Sequence, residues 1–337
     1  MKDSRAVILT GIRYDEGEKN VVGLVMKSFF AGRKRLLGIL LILAAMLLWS
    51  TVPVGTRLLV AERTGAFSAT FISAMRLWIA AIIFFVLHEF YLRKPGAPHW
   101  PRVKRPWWMF ASALSLCVNY LFYAIGLRYT TAGATSVISQ VQCGATVLLA
   151  ALLLGERLTW NKVTGVLLAT AGVLLVMLNK TTAGDVVNAQ YFTGNVIEFW
   201  AALAWPLYVI GQTKLQQAGD DDILLPIFTL AAIMMTIALP LTGSLVIGTP
   251  TINDWIVLIF LGIGSTAAAY WLFAAGLRYV DASDGTMFNI LIPLLALLQA
   301  HWILHEPLHP GILFGLALTL SGLTLIVWRR SWSPLRR

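Results

Sequence analysis

Apolar residues occur in long runs along the chain rather than in alternation. Ten runs, near 36–59, 67–91, 107–127, 133–154, 161–179, 194–214, 223–247, 255–277, 283–304 and 309–328, each approach the roughly 20 residues a helix needs to cross hydrocarbon. The breaks between them carry turn chemistry: Thr64-Gly65, Lys94-Pro95-Gly96, Thr182-Ala183-Gly184-Asp185, Asp220-Asp221-Asp222 and His309-Pro310-Gly311. A membrane barrel would instead show short segments of alternating hydrophobicity. The pattern predicts an all-α polytopic membrane protein with ten transmembrane helices.

One stretch occurs twice. Residues 120–176 align with 270–326 at a constant offset of 150, without a gap and with 16 identities in 57 positions. AIGLRY at 124–129 answers AAGLRY at 274–279, and GERL at 155–158 answers HEPL at 305–308. Shared Leu and Ala are expected by chance in apolar sequence; the matched Arg, Glu, Tyr and Gly are not. Helices one and six match at an offset of 156, through Gly38/Gly194, Ala45/Ala201, Leu47/Leu203, Trp49/Trp205 and Gly55/Gly211. A repeat of this length sets the architecture. With five helices in each half, the second half enters the membrane from the opposite face, so the repeats are inverted.

Charge then orients the chain. With the N-terminus inside, 21 of the 26 Lys and Arg fall on the inner side, four on the outer side, and Arg76 lies within a span. This bias predicts cytoplasmic termini in a cell inner or plasma membrane. The expected organisation is a cytoplasmic tail over 1–35, a first five-helix repeat over 36–180, an external linker over 181–193, a second repeat over 194–328 and a cytoplasmic tail over 329–337. Residues 1–35 are polar and mixed in charge, without a signal-peptide layout. Met26 opens MKSFFAGRKR, which reads as a natural start.

Composition agrees with the runs: 58% of residues are hydrophobic, 12% are charged, and mean hydropathy is +0.75. A soluble protein carries about 25% charged residues. The net charge of +10 sits in loops and tails rather than on a face, which argues against nucleic acid as a partner. Cys117 and Cys143 lack metal-ligand spacing and read as small buried residues. Neither a metal nor a cofactor is called for, and no catalytic residue is assigned.

Several motifs resemble a known family. They are Trp49-Ser50 in helix one, Arg76 within AMRLW, NYLFYAIGLRYTTAGAT at 119–135 and LLLGERLT at 152–159. In the second half they are AAGLRY, Pro293 followed thirteen residues later by Glu306, and Gly315/Gly322. Together they resemble the EamA-type branch of the drug/metabolite transporter superfamily over about 36–328. Cys143 departs from the pattern, which commonly has Pro there, so helix four is expected to be straighter than helix nine. The resemblance implies a carrier that exports amino acids or other small metabolites.

Candidate site residues are polar or aromatic groups set within apolar runs. Arg76 reads either as a contact for a substrate carboxylate or as a structural or snorkelling Arg. Trp49 and Trp205 fall near mid-span, unlike the other Trp residues at helix ends, and line a cavity or fill the bundle. Asn119, Tyr120, Gln140, Tyr270 and Asn289 read as a substrate-facing wall; with Gln142 and Gln299 they could equally join helices. Glu198 reads first as an interfacial acid near a helix N-terminus and second as a proton-coupling carboxylate. No other acid stands mid-helix, which argues against an obvious proton relay. The repeated Arg and Glu give two gate candidates, Arg128 with Glu306 outside and Arg278 with Glu156 inside; local capping by each Glu is the alternative.

The reading is a secondary transporter with a midplane site between the halves, exporting small neutral or zwitterionic metabolites such as amino acids by alternating access. An intramembrane enzyme would need clustered ligands or a nucleophile–base set, and a channel a filter or charged ring. A phosphate loop, which an ATP-driven pump needs, is absent from the sequence. A single intramembrane Arg disfavours phosphorylated substrates. The expected partners are a small-molecule substrate and the lipid bilayer; the reading also allows a homodimer.

Overall fold

The computed structural model describes residues 16–60, 67–93, 98–126, 129–130, 135, 138–178, 189–220, 222–240, 248–304 and 310–328. Among these every regular element is helical, and each of the ten expected runs falls on helix. Among the described residues, four stretches are long and apolar enough to cross a membrane: Arg33–Thr56, Ala69–Leu92, Pro106–Gly126 and Ile252–Gly276.

Several runs expected as single helices are broken. The first forms α1 (Glu16–Trp49) and α2 (Thr51–Val60), divided at Ser50. Pro53 accounts for the break, because its ring excludes the carbonyl four residues back, at Trp49. α1 also begins at Glu16, inside the segment expected to be a tail. The second run is α3 (Ala69–Leu87), capped where the Ser68 hydroxyl accepts from the Phe71 N–H at 3.2 Å, and it ends in a π turn over His88–Leu92. α4 (Pro106–Gly126), α5 (Val141–Leu154) and α6 (Trp160–Leu178) complete the first repeat. Gly155, at φ 70°, ends α5 in the left-handed region that glycine adopts without strain.

The second repeat opens with α7 (Phe192–Gln217), which carries Pro206 in its interior, and continues with α8 (Leu224–Ala238). α9 (Ile252–Gly262), started by a capping box between Thr251 and Asp254, passes through a π turn at Ile263–Ala268 into α10 (Ala269–Gly276). α11 (Ala282–Met287) and α12 (Leu291–Leu304) are separated by a single 3-10 turn, and Pro293 sits in the first turn of α12. The ninth run is therefore interrupted, and so is the fourth, where turns at Ser139 and Gln140 precede α5 although Cys143 stands in the place of the proline; helix four is not the uninterrupted one of the two, contrary to expectation. α13 (Pro310–Trp328) ends the fold.

Packing follows the repeat. α4 lies on α7, and its counterpart α10 lies on α1. The other strong contacts are α6 with α13 and α3 with α8, which hold the same place in each repeat, together with α5 against α7, α4 against α8 and α5 against α11. Glycines set these approaches. A Cβ at Gly38 would stand 3.1 Å from the Gly276 carbonyl oxygen, and one at Gly194 would stand 2.7 Å from the Tyr129 carbonyl oxygen. The largest core cluster draws on both repeats, from Ile42 and Met46 to Tyr270 and Met287. The repeats are thus halves of one bundle, and the space between them is where a site can form.

Candidate functional site

A cavity of about 180 Å³ lies between the repeats. That equals the liquid volume of about six water molecules. All eight candidate site residues line it: Trp49, Arg76, Asn119, Tyr120, Gln140, Trp205, Tyr270 and Asn289. Lining residues that the sequence reading did not pick out include Ser73, Tyr123, Thr135 and Ser139. Tyr123 carried one available signal, since it stands one helical turn beyond Asn119 and Tyr120 on α4.

Aromatic rings build one wall. Trp49 meets Trp205 edge-on at 5.2 Å and Tyr270 at 5.0 Å, and Trp205 meets Tyr270 at 5.9 Å. The two Trp occupy repeat-related places on α1 and α7, so the pseudo-symmetry itself brings them together. Phe228 supports Tyr270 from behind at 4.9 Å. Edge-to-face pairs of this kind contribute about 0.5–1.5 kcal/mol each beyond area burial.

Arg76 supplies the charge. It is 6% exposed, so it does not snorkel to the surface. Its Nε donates to Thr266 Oγ1 at 3.0 Å, its Nη2 donates to Tyr120 Oη at 3.3 Å, and its guanidinium lies 5.0 Å from the Tyr120 ring centroid. Thr266 sits in the π turn between α9 and α10 and donates in turn to the Leu261 carbonyl at 2.8 Å. That bond leaves an oxygen lone pair for Arg76. Such bulges in helices recur at functional sites. The guanidinium is therefore held by the second repeat while its own helix belongs to the first.

The polar wall residues divide. Asn119 donates to the Ala201 carbonyl at 2.8 Å, which joins α4 to α7 while Asn119 still borders the cavity. Gln299 donates to Ser50 Oγ at 2.7 Å and serves as helix-to-helix glue. Trp205 Nε1 and Asn289 Oδ1 are buried without a hydrogen-bond partner. The residues around the cavity thus include a buried donor and a buried acceptor without partners among the described residues, beside the Arg76 guanidinium.

Comparison with known proteins bears on what such a bundle does. The model of the EamA-like transporter family matches residues 36–178 and 193–328. The chain belongs to the EamA-like transporter family. It is a multi-pass membrane transporter, and that family implies a small-molecule substrate and a lipid environment. A relative from Escherichia coli (strain K12), named a "Probable amino-acid metabolite efflux pump", is 24% identical over 224 residues, covering 63% of this chain and 73% of that protein. An "Uncharacterized transporter" from Archaeoglobus fulgidus is 27% identical over 237 residues, covering 63% and 74%. A solved crystal structure at 20% identity shares the fold, with a TM-score of 0.70 over 87% of this chain and 98% of that one.

Within this EamA-like chain a second polar assembly lies apart from the cavity. Glu156, in the turn between α5 and α6, reaches across to the start of α11. Its Oε1 accepts from the Ala282 N–H at 2.9 Å, and its carboxylate also meets the Ser283 hydroxyl. Lys162, 3% exposed, pairs with Glu156 at 3.2 Å and with Asp284 at 2.9 Å, and donates to Ser283. Arg35 of α1 stands 3.8 Å from Asp284. Glu156 therefore caps a helix of the other repeat and pairs with Lys162, not with the exposed Arg278. A pairing of ends cannot be read from repeat matching alone, because Lys162 and Asp284 have Ile312 and Ala134 at the matching positions. The outer candidates Arg128 and Glu306 lie outside the described residues.

Glu198 differs from its first reading. It lies in the second turn of α7 and is 2% exposed, so its carboxyl is enclosed by the bundle rather than presented to the surroundings.

Proposed function

We propose that this transporter exports small neutral or zwitterionic metabolites, amino acids among them, by alternating access between its two repeats. The observation that carries the reading is the cavity shared by both repeats, with Arg76 in its wall held by Thr266 of the opposite half. A substrate carboxylate would meet the guanidinium and the Trp205 N–H, and a substrate ammonium would meet Asn289 Oδ1. The aromatic wall suits an apolar body. A single cation in a space of about 180 Å³ fits a small solute better than a phosphorylated one. The relative named as an efflux pump supports the amino-acid class and the outward direction.

In this reading both termini are cytoplasmic, and the Glu156–Lys162–Asp284 assembly seals the cytoplasmic end while the cavity awaits exchange with the other side. Opening inward would separate α11 from the α5–α6 turn. The test is counterflow in proteoliposomes with a panel of labelled amino acids. Saturable exchange of at least one of them is expected, lost in Arg76→Ala. Absence of exchange for every amino acid, with folded protein in the liposomes, would overturn the substrate class.

A further inference from the structure

Two seams close the bundle, and the repeat offsets relate them. In one, α1 lies against α10, and a Cβ on Gly276 would stand 2.9 Å from the Gly38 carbonyl oxygen and 3.1 Å from Ile42 Cδ1. In the other, α7 lies against α4, and a Cβ on Gly126 would stand 3.5 Å from the Gly194 carbonyl oxygen and 3.3 Å from Glu198 Oε2. Gly38 corresponds to Gly194, Gly276 to Gly126, and Ile42 to Glu198. The same notch thus receives an apolar side chain in one seam and a carboxyl in the other. Ile42 is 0% exposed and Glu198 is 2% exposed, so both are core positions. Packing does not require an acid here, since its counterpart manages with isoleucine.

One oxygen of the carboxyl is also unpartnered among the described residues. Glu198 Oε2 is buried without a hydrogen bond, and among the described residues no ion pair holds the side chain. A lone carboxylate removed from water is costly inside a membrane protein, and such residues by default mark function. Its neighbour is polar as well. Tyr123 stands where the other seam has Phe273, one turn before Gly126 on α4, and lines the cavity together with Arg76.

We propose that Glu198 is a proton-binding site, loaded while the α4/α7 seam is closed and emptied when that seam parts and water reaches it. Tyr123 connects the site to the cavity, which couples proton occupancy to the state of Arg76 and its ligand. The idea rests on the transport reading and adds its energy source. The titratable groups on the elements packed against α7 are Tyr120 and Tyr123 of α4, Cys143 of α5, and Asp284 of α11, which Lys162 already pairs; Tyr129 lies against Gly194, one turn before Glu198. Arg128 lies outside the described residues.

The test uses the full chain in liposomes and two variants, Glu198→Gln and Glu198→Ile, the second installing the residue tolerated in the related seam. The first arm needs no substrate. Infrared difference spectra between acidic and alkaline buffer should show a carboxylic-acid C=O band in the parent that both variants lose; its persistence in both overturns the proton site. The second arm uses a mixture of the common amino acids, all labelled. Both variants should keep counterflow and lose the accumulation driven by an imposed pH gradient; retained gradient-driven accumulation overturns the coupling. Failure of the parent to exchange any of the mixture would instead sink the amino-acid reading, and the infrared arm would still decide the proton site.

Discussion

Lys162 of the first repeat and Asp284 of the second form an ion pair at 2.9 Å, with Lys162 only 3% exposed. Glu156 and Ser283 complete the assembly, so one buried ammonium ties the α5–α6 turn to the start of α11. Removing one partner of a buried pair costs about 3–5 kcal/mol, because the other charges are left uncompensated. Lys162→Met should therefore lower the melting temperature in detergent, and adding Asp284→Asn should recover part of the loss. If the assembly also seals one end, a thiol reagent applied from the cytoplasmic side should reach Cys143 faster in Lys162→Met. Unchanged labelling would leave the assembly a purely structural tie.

Arg76 should not tolerate lysine. Its fork donates to Thr266 and Tyr120 together and lies over the Tyr120 ring, a geometry an ammonium cannot reproduce. With hydrogen bonds to charged groups worth about 1.5–3 kcal/mol, Arg76→Lys should reduce transport efficiency about tenfold or more. Counterflow kinetics measure this, and near-parental efficiency would argue against contact with substrate.

The aromatic wall predicts a graded series. Trp49→Phe and Trp205→Phe keep a ring in the cluster, whereas Trp49→Ala and Trp205→Ala open the wall. Transport should fall more than folded yield in the alanine variants and less in the phenylalanine ones. Equal behaviour of Phe and Ala variants would show that ring contact is immaterial.

Glycine positions separate packing from tolerance. A Cβ at Gly322 would stand 2.6 Å from the Ala169 amide nitrogen and 2.7 Å from the Gly165 carbonyl oxygen, while one at Gly144 meets nothing within 4 Å. Gly322→Ala should therefore destabilise the α6/α13 contact by about 1–3 kcal/mol. Gly144→Ala should gain up to about 1 kcal/mol of helix propensity. Thermal unfolding of the two variants side by side checks the sign of each.

Topology can be read directly. Single cysteines at Glu156 and Glu306, in a background without Cys117 and Cys143, should label from opposite faces of the membrane, the first from the cytoplasm. Labelling of both from one face would contradict the inverted arrangement.

The sequence by itself determined the helical class, the two repeats and the residues worth inspecting. Those properties are local or periodic: an apolar run long enough to span lipid is helical because its backbone has no other hydrogen-bond partners there, and a polar side chain inside such a run stands out wherever it ends up. Trp49, Arg76, Tyr120 and Asn289 could be selected on that ground alone. Only tertiary structure decided what each one meets. The Arg76–Thr266 contact depends on a π turn that leaves no mark in an apolar run, and in the Glu156–Lys162–Asp284 assembly both Lys162 and Asp284 have uncharged repeat counterparts, Ile312 and Ala134. Glu198 lies near a helix start in sequence, yet the Gly126 notch opposite it places the carboxyl in the protein interior. Depth and partnership are set by how helices distant in sequence approach one another, and that approach depends on side-chain volumes across the contact rather than on the pattern along either helix.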